Sequence, residues 1–597
     1  MSDFKYIIGI DLGTTHCVVA YTESGVEEPE IRIFSVPQTV SQGEVKAQPL
    51  LPSFIFLPGP HDVPPGSLAL PWNPEADKAV GEFARRRGSE IPNRMVSSAK
   101  SWLCHAGVDR TGPILPWDSP PDTARMSPVD AAATFLHHLK DAWNFQMASD
   151  DPDARFEKQD IYLTVPASFD AVARELTVKA AQSAGLDRMT LLEEPQAAFY
   201  AWIESREDTW RKEVKVGESI LVCDIGGGTT DFSLIEVTEE NGDLALRRVA
   251  VGDHILLGGD NMDLTLAYLV QGRLAQKGTK LDSWQFRGLW HSCRVAKEKL
   301  LANPDAQAEP LVILGRGTSL IGGTIRTELT RSDVEIALID GFFPMGGADE
   351  YPKEKPRMGM REMGLPYESD PAVTRHMARF LGRQTSSGYP SAVLFNGGVM
   401  KSDIIRKRVL TVLDRWNDQE ELRELASDDL DLAVARGAAY YGLARQGRGI
   451  RIRGGVARPY YIGIESSMPA VPGIPTPIKA LCVVPFGMEE GTGVDIHERE
   501  FGLVVGEPAV FQLLSSTTRK GDTIGEIVED WSGEIEEVTA METALPATTP
   551  EEGGTTIPVW LQTKVTEIGT LELWCVARDD ETRRWKLEFS LREREES

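Results

Sequence analysis

The chain has 597 residues, 41% of them hydrophobic, and its 63 basic and 90 acidic side chains leave a formal net charge of −27. That length supports more than one buried core, and that charge argues against nucleic acid or an anionic lipid surface as a partner. No charged-then-apolar leader precedes Phe4 and no apolar run nears the roughly 18 residues a membrane span needs, so the expected location is the cytoplasm.

In chain order, the first signal is IGIDLGTTHCVVAY (8–21), an apolar run, an aspartate, a tight glycine/threonine turn and a second apolar run. This pattern predicts a β-hairpin. A proline- and glycine-rich loop at 58–74 precedes a helix over 128–143, a strand over 161–165 and a helix over 170–184. The hairpin pattern then returns as VCDIGGGTTDFSLIEV (222–237), with a strand signal at 220–223. A helix over 284–302, a strand over 311–314, a loop over 341–367, a helix over 370–381 and a strand over 392–395 follow. Alternating helix and strand signals predict a mixed α/β domain over 1–445. Glycine and arginine dominate 446–458, which reads as a linker. Beyond it helix signals vanish, and strands at 460–465, 480–485, 509–514, 557–565, 570–576 and 585–591 predict an all-β domain over 459–597. The six cysteines lack metal-ligand spacing and read as small buried hydrophobes.

The two hairpin turns carry the chemistry. Backbone amides in a glycine-rich turn can cradle phosphate oxygens, so Gly13, Thr14 and Thr15 in one turn and Gly226, Gly227, Gly228 and Thr229 in the other are candidate phosphate contacts. Asp11 and Asp224 are candidate Mg2+ carboxylates, mostly through water, and Asp231 lies past the second turn, in reach of the metal's water shell or an attacking water. One such turn is equally an ordinary hairpin turn; two at equivalent places in a duplicated domain point to a clamp around a triphosphate.

With these turns on the page, the sequence resembles the actin-like ATPases, and more narrowly the heat-shock protein 70 (DnaK-like) chaperones. VGEFARRRGSEIPNRMVSSAKSWL, LTVPASFDAVARELTVKAAQSAGL, LLEEPQAAFYAWI and VGDHILLGGDNMD carry the narrower match. The resemblance implies an α/β, duplicated actin-like (ribonuclease H-like) ATPase domain followed by a C-terminal all-β sandwich. It implies Lys100 and Glu194 as catalytic residues beside Asp224, Asp231 and Thr229, and Pro166 and Arg174 as an interdomain relay. Gly258, Gly259, Lys297, Gly397 and Gly398 become nucleotide contacts. The cofactors implied are ATP and Mg2+, with K+ as a further candidate; the partners are ATP/ADP, unfolded polypeptide or a dedicated protein client, and co-chaperones. Read alone, Lys100 is a surface helix lysine, Glu194 a solvated acid and Pro166 a strand terminator.

Three departures stand beside the match. In SCRVAKEKL the places of the family's glutamate and base-stacking arginine hold Arg294 and Glu298, which could also pair with each other at i, i+4. FNGGVMKS keeps Gly397 and Gly398 but substitutes Val399 and Lys401. The linker is arginine-rich, no helical lid signal follows the β-strands, and 340–381 has no counterpart in the common chaperones. The expected function is a chaperone-like ATPase without a helical lid. The alternatives are a nucleotide-gated scaffold with little turnover, a small-metabolite kinase of the same fold, and a filament-forming actin relative.

Overall fold

The computed structural model describes residues 4–590 except 106, 118, 121–122, 207–208, 241–242, 315–323, 354–363, 385–388, 418–421, 447–455, 457, 468–475, 489–490, 517–518, 520, 532–533, 547–554 and 567–569. Most of the expected linker, and the middle of the expected 341–367 loop, lie outside the described residues. The chain divides into two compact units, Met1–Leu246 with Ala250–Arg451, and Arg247–Val249 with Ile452–Ser597.

The first unit is built twice on one plan. In the first half, Tyr6–Leu12 pairs antiparallel with His16–Glu23, which continues to Arg32–Ile33; on its other edge it runs parallel to Asp160–Val165, and that strand runs parallel to Met189–Glu193. In the second half, Ser219–Ile225 pairs antiparallel with Thr230–Glu240, next to Asp243–Val251, and parallel with Ala392–Asn396, beside Arg423–Leu425. Both sheets therefore share one strand order, and a helix makes the crossover between the last two parallel strands of each: Ala171–Ser183 in the first half, Asp403–Trp416 in the second. The central strands are continuous apolar runs because helices cover both faces of the sheet; every residue of Ser219–Ile225 is buried.

The halves interlock through helices that follow the last strand of each sheet. Ala433–Arg445 lies on Glu194–Arg206 and on the first sheet, in one cluster with Ile7, Tyr162 and Ala197. Glycine permits the approach: a Cβ on Gly437 would sit 1.7 Å from the Ala197 carbonyl oxygen, and one on Gly9 would sit 2.3 Å from that of Ala435. The helix Pro128–Met147 starts at a Ser127–Asp130 capping box with proline in its first turn, as its sequence dictates. Of the expected helix over 370–381, the structure forms Val373–Gly382, with Asp370 buried just ahead of it.

The second unit contains two antiparallel sheets and, among the described residues, no helix. One runs in the order Ile527–Val528, Ile478–Val484, Tyr460–Glu465, Pro508–Ser515, Glu536–Ala544; the other runs Gly493–Val505, Thr555–Val565, Thr570–Ala577, Arg584–Ser590. The alternation in TTIPVWLQTKV turns Ile557, Val559, Leu561 and Val565 inward. They share one apolar cluster with Leu481, Val483 and Leu513 of the other sheet.

All six cysteines are free, and five are buried. No helix among the described residues is long and apolar enough to cross a membrane.

Candidate nucleotide site

The two hairpin turns face one cleft of about 530 Å³, within the range of small-molecule and cofactor sites. Each turn closes the same way, with the Gly13 amide donating to the His16 carbonyl at 3.1 Å and the Gly226 amide to that of Thr229 at 2.9 Å. Their carbonyls are tied from behind. The Ser53 hydroxyl donates to Gly13 O at 2.7 Å, while the amides of Gly259 and Asp260 donate to Gly226 O and Gly227 O at 3.0 and 2.7 Å. A trans peptide points its N–H opposite its C=O, so the amides of Thr14, Gly227 and Gly228 face away from these supports, as an anion cradle requires. Gly227 and Gly258 have no space for a side chain: added Cβ atoms would meet Thr15 Oγ1 at 2.3 Å and Gly226 O at 2.7 Å.

The duplication also fixes the two acids. Asp11 and Asp224 end equivalent strands, and the neighbouring parallel strand supplies each with a donor: the Thr164 hydroxyl to Asp11 at 3.4 Å and the Asn396 amide to Asp224 at 2.7 Å. Burial pushes Asp11 up to about 7, with Lys100 pulling it down and Glu194 pushing it up. Burial likewise holds Asp224 well above the usual carboxylate range and raises Glu194 and Asp231. Lys100, on the short helix Ala99–Leu103, pairs with Glu194. Burial works against its charge, but Glu194 and Asp11 outweigh it and the ammonium pKa is raised. Asp11, Glu194 and Asp224 line the cleft around one ammonium; among the described residues no three acidic, histidine or cysteine side chains are placed to ligate a metal directly, so this oxygen set suits a divalent cation held through water.

At the other end of the cleft Lys297 pairs with Asp263 at 2.8 Å and donates to Gly259 O at 3.3 Å. Arg294 does not pair with Glu298. It is held by Asp260 and by Asp263, the latter at 2.7 Å, because those acids sit on the facing helix Gly259–Gln276. Ser98, the residue before the Lys100 helix, has φ 52° and donates to Asp260 at 2.7 Å. That left-handed backbone is strained for serine. Lys401 pairs with Asp431 at 2.6 Å at the rim.

Asp11, Gly13, Thr14, Thr15, Lys100, Glu194, Asp224, Gly226, Gly227, Thr229, Gly259, Lys297, Gly397 and Gly398 all line this cleft. Gly228 packs against Thr14, and Gly258 lies behind the second turn. Asp231 sits one layer back, accepting from Ser168. Pro166 directly follows the strand Asp160–Val165, and Arg174 is fully buried, donating to Glu193 at 2.8 Å and to the carbonyls of Ala167 and Phe169. Sequence reasoning missed Asn396, Ser168, Asp260 and Asp431. Only Asn396 had a signal, as the polar end of a buried strand immediately before two glycines.

A duplicated α/β unit with paired acidic hairpin turns around one cleft defines the class: the actin-like ATPase fold. The family profile described as Hsp70 protein matches residues 72–336. A chaperone protein HscA homolog of Acidithiobacillus ferrooxidans is 29% identical over 379 residues, 58% of this chain and 53% of that protein. Those of Pseudomonas aeruginosa and Acinetobacter baylyi are 30% and 29% identical, over 50% of this chain and 42% of each relative. The chain thus resembles the heat-shock protein 70 chaperones over this part of its length. It spans about half the length of the curated relatives it matches, 53% at most among these.

Proposed function

We propose that this chain binds ATP with Mg2+ and hydrolyses it slowly as the motor of a chaperone. The observation that carries the reading is the pair of equivalent turns with Asp11 and Asp224 at their mouths and the Lys100–Glu194 pair between them. Phosphoryl transfer to water asks for positioning and charge neutralisation rather than covalent help. The turn amides of Thr14, Gly227 and Gly228 hold the phosphate oxygens, and Thr229 adds a hydroxyl. Lys100 faces the terminal phosphate and places the attacking water; Glu194 holds Lys100, and Asp231 accepts a hydrogen bond from that water. Asp11 and Asp224 would hold Mg2+ through water, and the ion when bound supplies charge neutralisation at the phosphates. Gly258, Gly259, Lys297, Gly397 and Gly398 frame the nucleoside.

The domain division follows 1–445, 446–458 and 459–597. The two antiparallel sheets around one apolar cluster support reading the second unit as a β-sandwich that receives unfolded polypeptide or a dedicated client in the cytoplasm. Pro166, which follows the strand Asp160–Val165, and Arg174, which donates to Glu193 at 2.8 Å, suit a relay between nucleotide and client.

The test is Mg2+-dependent ATP turnover of the full chain with and without a permanently unfolded polypeptide. The expected result is slow basal hydrolysis that rises with polypeptide. ATP binding without hydrolysis would replace the motor by a nucleotide-gated scaffold, and phosphate transfer to a small metabolite would replace it by a kinase.

A further inference from the structure

Behind Asp231 lies a chain of side chains that the phosphate clamp does not use. Ser168, in the turn after Asp160–Val165, donates its hydroxyl to Asp231 Oδ1, and the same oxygen lies 2.7 Å from His254 Nδ1. His254 precedes the Gly258–Gly259 turn from the other half of the unit, and the ring of Phe169 meets it edge-on at 6.0 Å. Burial pushes the imidazole down to about 4 against the pull of Asp170, Glu194 and Glu368, so it is neutral at pH 7.

The hydrogens follow from this geometry. A carboxylate only accepts, so the Ser168 hydrogen is directed at Asp231, and Ser168 Oγ must then accept from His254 Nδ1–H. That tautomer leaves Nε2 bare, and Nε2 is buried with no hydrogen-bond partner among the described residues. The opposite tautomer would bury an unpartnered N–H there, and orphaned donors are rarer in proteins than orphaned acceptors. The chain therefore runs one way, from His254 through Ser168 to Asp231.

We propose that Ser168 and His254 are positioning residues for hydrolysis, fixing the Asp231 carboxylate as a hydrogen-bond acceptor for the attacking water; the inference rests on the hydrolytic reading above. One Asp231 oxygen is committed to Ser168, and the hydroxyl of Thr229 and the amide of Ser168 also hold the group. Its remaining acceptor capacity is thereby aimed instead of free to rotate. The halves of the duplication contribute one residue each, Ser168 from the first and His254 from the second, so the alignment is complete only when both lobes are in place.

The test compares wild type with Ser168→Ala, His254→Leu and His254→Asn in single-turnover ATP hydrolysis and in equilibrium ATP binding. Loss of alignment should lower the hydrolysis rate about tenfold or more in Ser168→Ala and His254→Leu, with ATP affinity unchanged to within about twofold. His254→Asn, whose amide can donate from near the Nδ1 position, should recover to within about threefold of wild type. Wild-type rates in Ser168→Ala overturn the inference, as does a rate loss matched by an equal affinity loss that His254→Asn does not rescue. A wild-type protein that binds ATP without turning it over fails the hydrolytic reading itself, which is a different result from an active wild type with unaffected variants.

Discussion

Replacing Lys100 with methionine should separate the catalytic role proposed for this residue from its structural one. The Lys100 ammonium faces Asp11, Glu194 and Asp224 in the cleft, and its side chain is 9% exposed. Breaking a buried ion pair usually costs about 3–5 kcal/mol, because the surviving charge is left uncompensated. Here the surviving charge has an outlet. Asp11 already titrates at about 7, so at pH 7 the cluster can take up a proton at a cost near zero on the scale of about 1.4 kcal/mol per pH unit. The expected loss at pH 7 is therefore about 1–2 kcal/mol rather than 3–5. The sign with pH follows: Lys100 lowers Asp11, so without it the value rises above 7, and there the folded variant holds a proton that the unfolded chain, with ordinary carboxylates, has released. Stability is then lost as pH rises through 7, by about 1.4 kcal/mol per unit. Urea denaturation at pH 7, 8 and 9 measures this slope. ATP hydrolysis should fall by about 10²-fold or more, because the charge proposed to face the terminal phosphate is gone. A variant that loses 3 kcal/mol or more at pH 7 would show that the carboxylates do not relieve one another, and turnover within about threefold of wild type would remove Lys100 from the chemistry.

Four further outcomes are expected. Gly437→Ala drives a methyl into the Ala197 carbonyl and should cost about 3 kcal/mol or more of unfolding free energy; a loss under about 1 kcal/mol in urea melts would mean the two helices separate freely. Gly227→Ala crowds Thr15 at the cradle and should weaken ATP at least about tenfold by calorimetry while leaving the melt nearly unchanged; unchanged affinity counts against the cradle. Asp224→Asn keeps the neighbour Asn396 but removes a carboxylate, so half-maximal turnover should need about tenfold more Mg2+, and an unshifted Mg2+ titration rejects that assignment. His138 is buried with its Nε2 2.9 Å from Pro37 O, and burial depresses it to about 4. The unfolded chain takes up that proton from pH 6.5 downward and the folded one does not, so stability falls from pH 6.5 to 4, by about 2 kcal/mol at pH 5. His138→Gln should flatten that limb, and parallel pH profiles of the two proteins would refute it.

What the sequence revealed and what it hid divide along physical lines. The hairpins were legible because burial on both faces forces β-branched runs, and the turns because close backbone approach forces glycine. The crossover helix 170–184 was legible because Asp170 caps it, its carboxylate accepting from the Ala173 amide at 2.7 Å. The helix Ala433–Arg445 was not. Nine of its thirteen residues are buried, so it has no polar face to produce a helical period, and its glycines argue against a helix until their partners are known. Ser168 and His254 gave no signal because their meaning lies in a contact between halves 86 residues apart. Arg294 was visible as a departure, but its partners Asp260 and Asp263 lie on a different helix, and local spacing favoured Glu298 instead.

The duplication explains why the site is asymmetric although its frame is not. Thr164 and Asn396 stand at the same place in the two sheets and donate to the same aspartate of each hairpin. Two residues further on, the halves part: the first continues as Pro166 into the turn that carries Ser168, the second as Gly397 and Gly398. Gly397 has φ 86°, and a Cβ there would meet Ile225 O at 2.3 Å, so the backbone of the second half folds tightly against its own strand where Gly397 and Gly398 line the cleft. After the fifth strand the first half starts its helix at Glu194, beside Lys100; the second places Asp431 and Val434 on the cleft wall instead. The two halves thus differ most where Glu194 stands in one and Asp431 and Val434 stand in the other. On the hydrolytic reading proposed above, substitutions after the fifth strand should therefore give unequal results in turnover and ATP-binding assays: Glu194→Gln should lower turnover, and Val434→Ala should weaken ATP binding with turnover at saturation little changed.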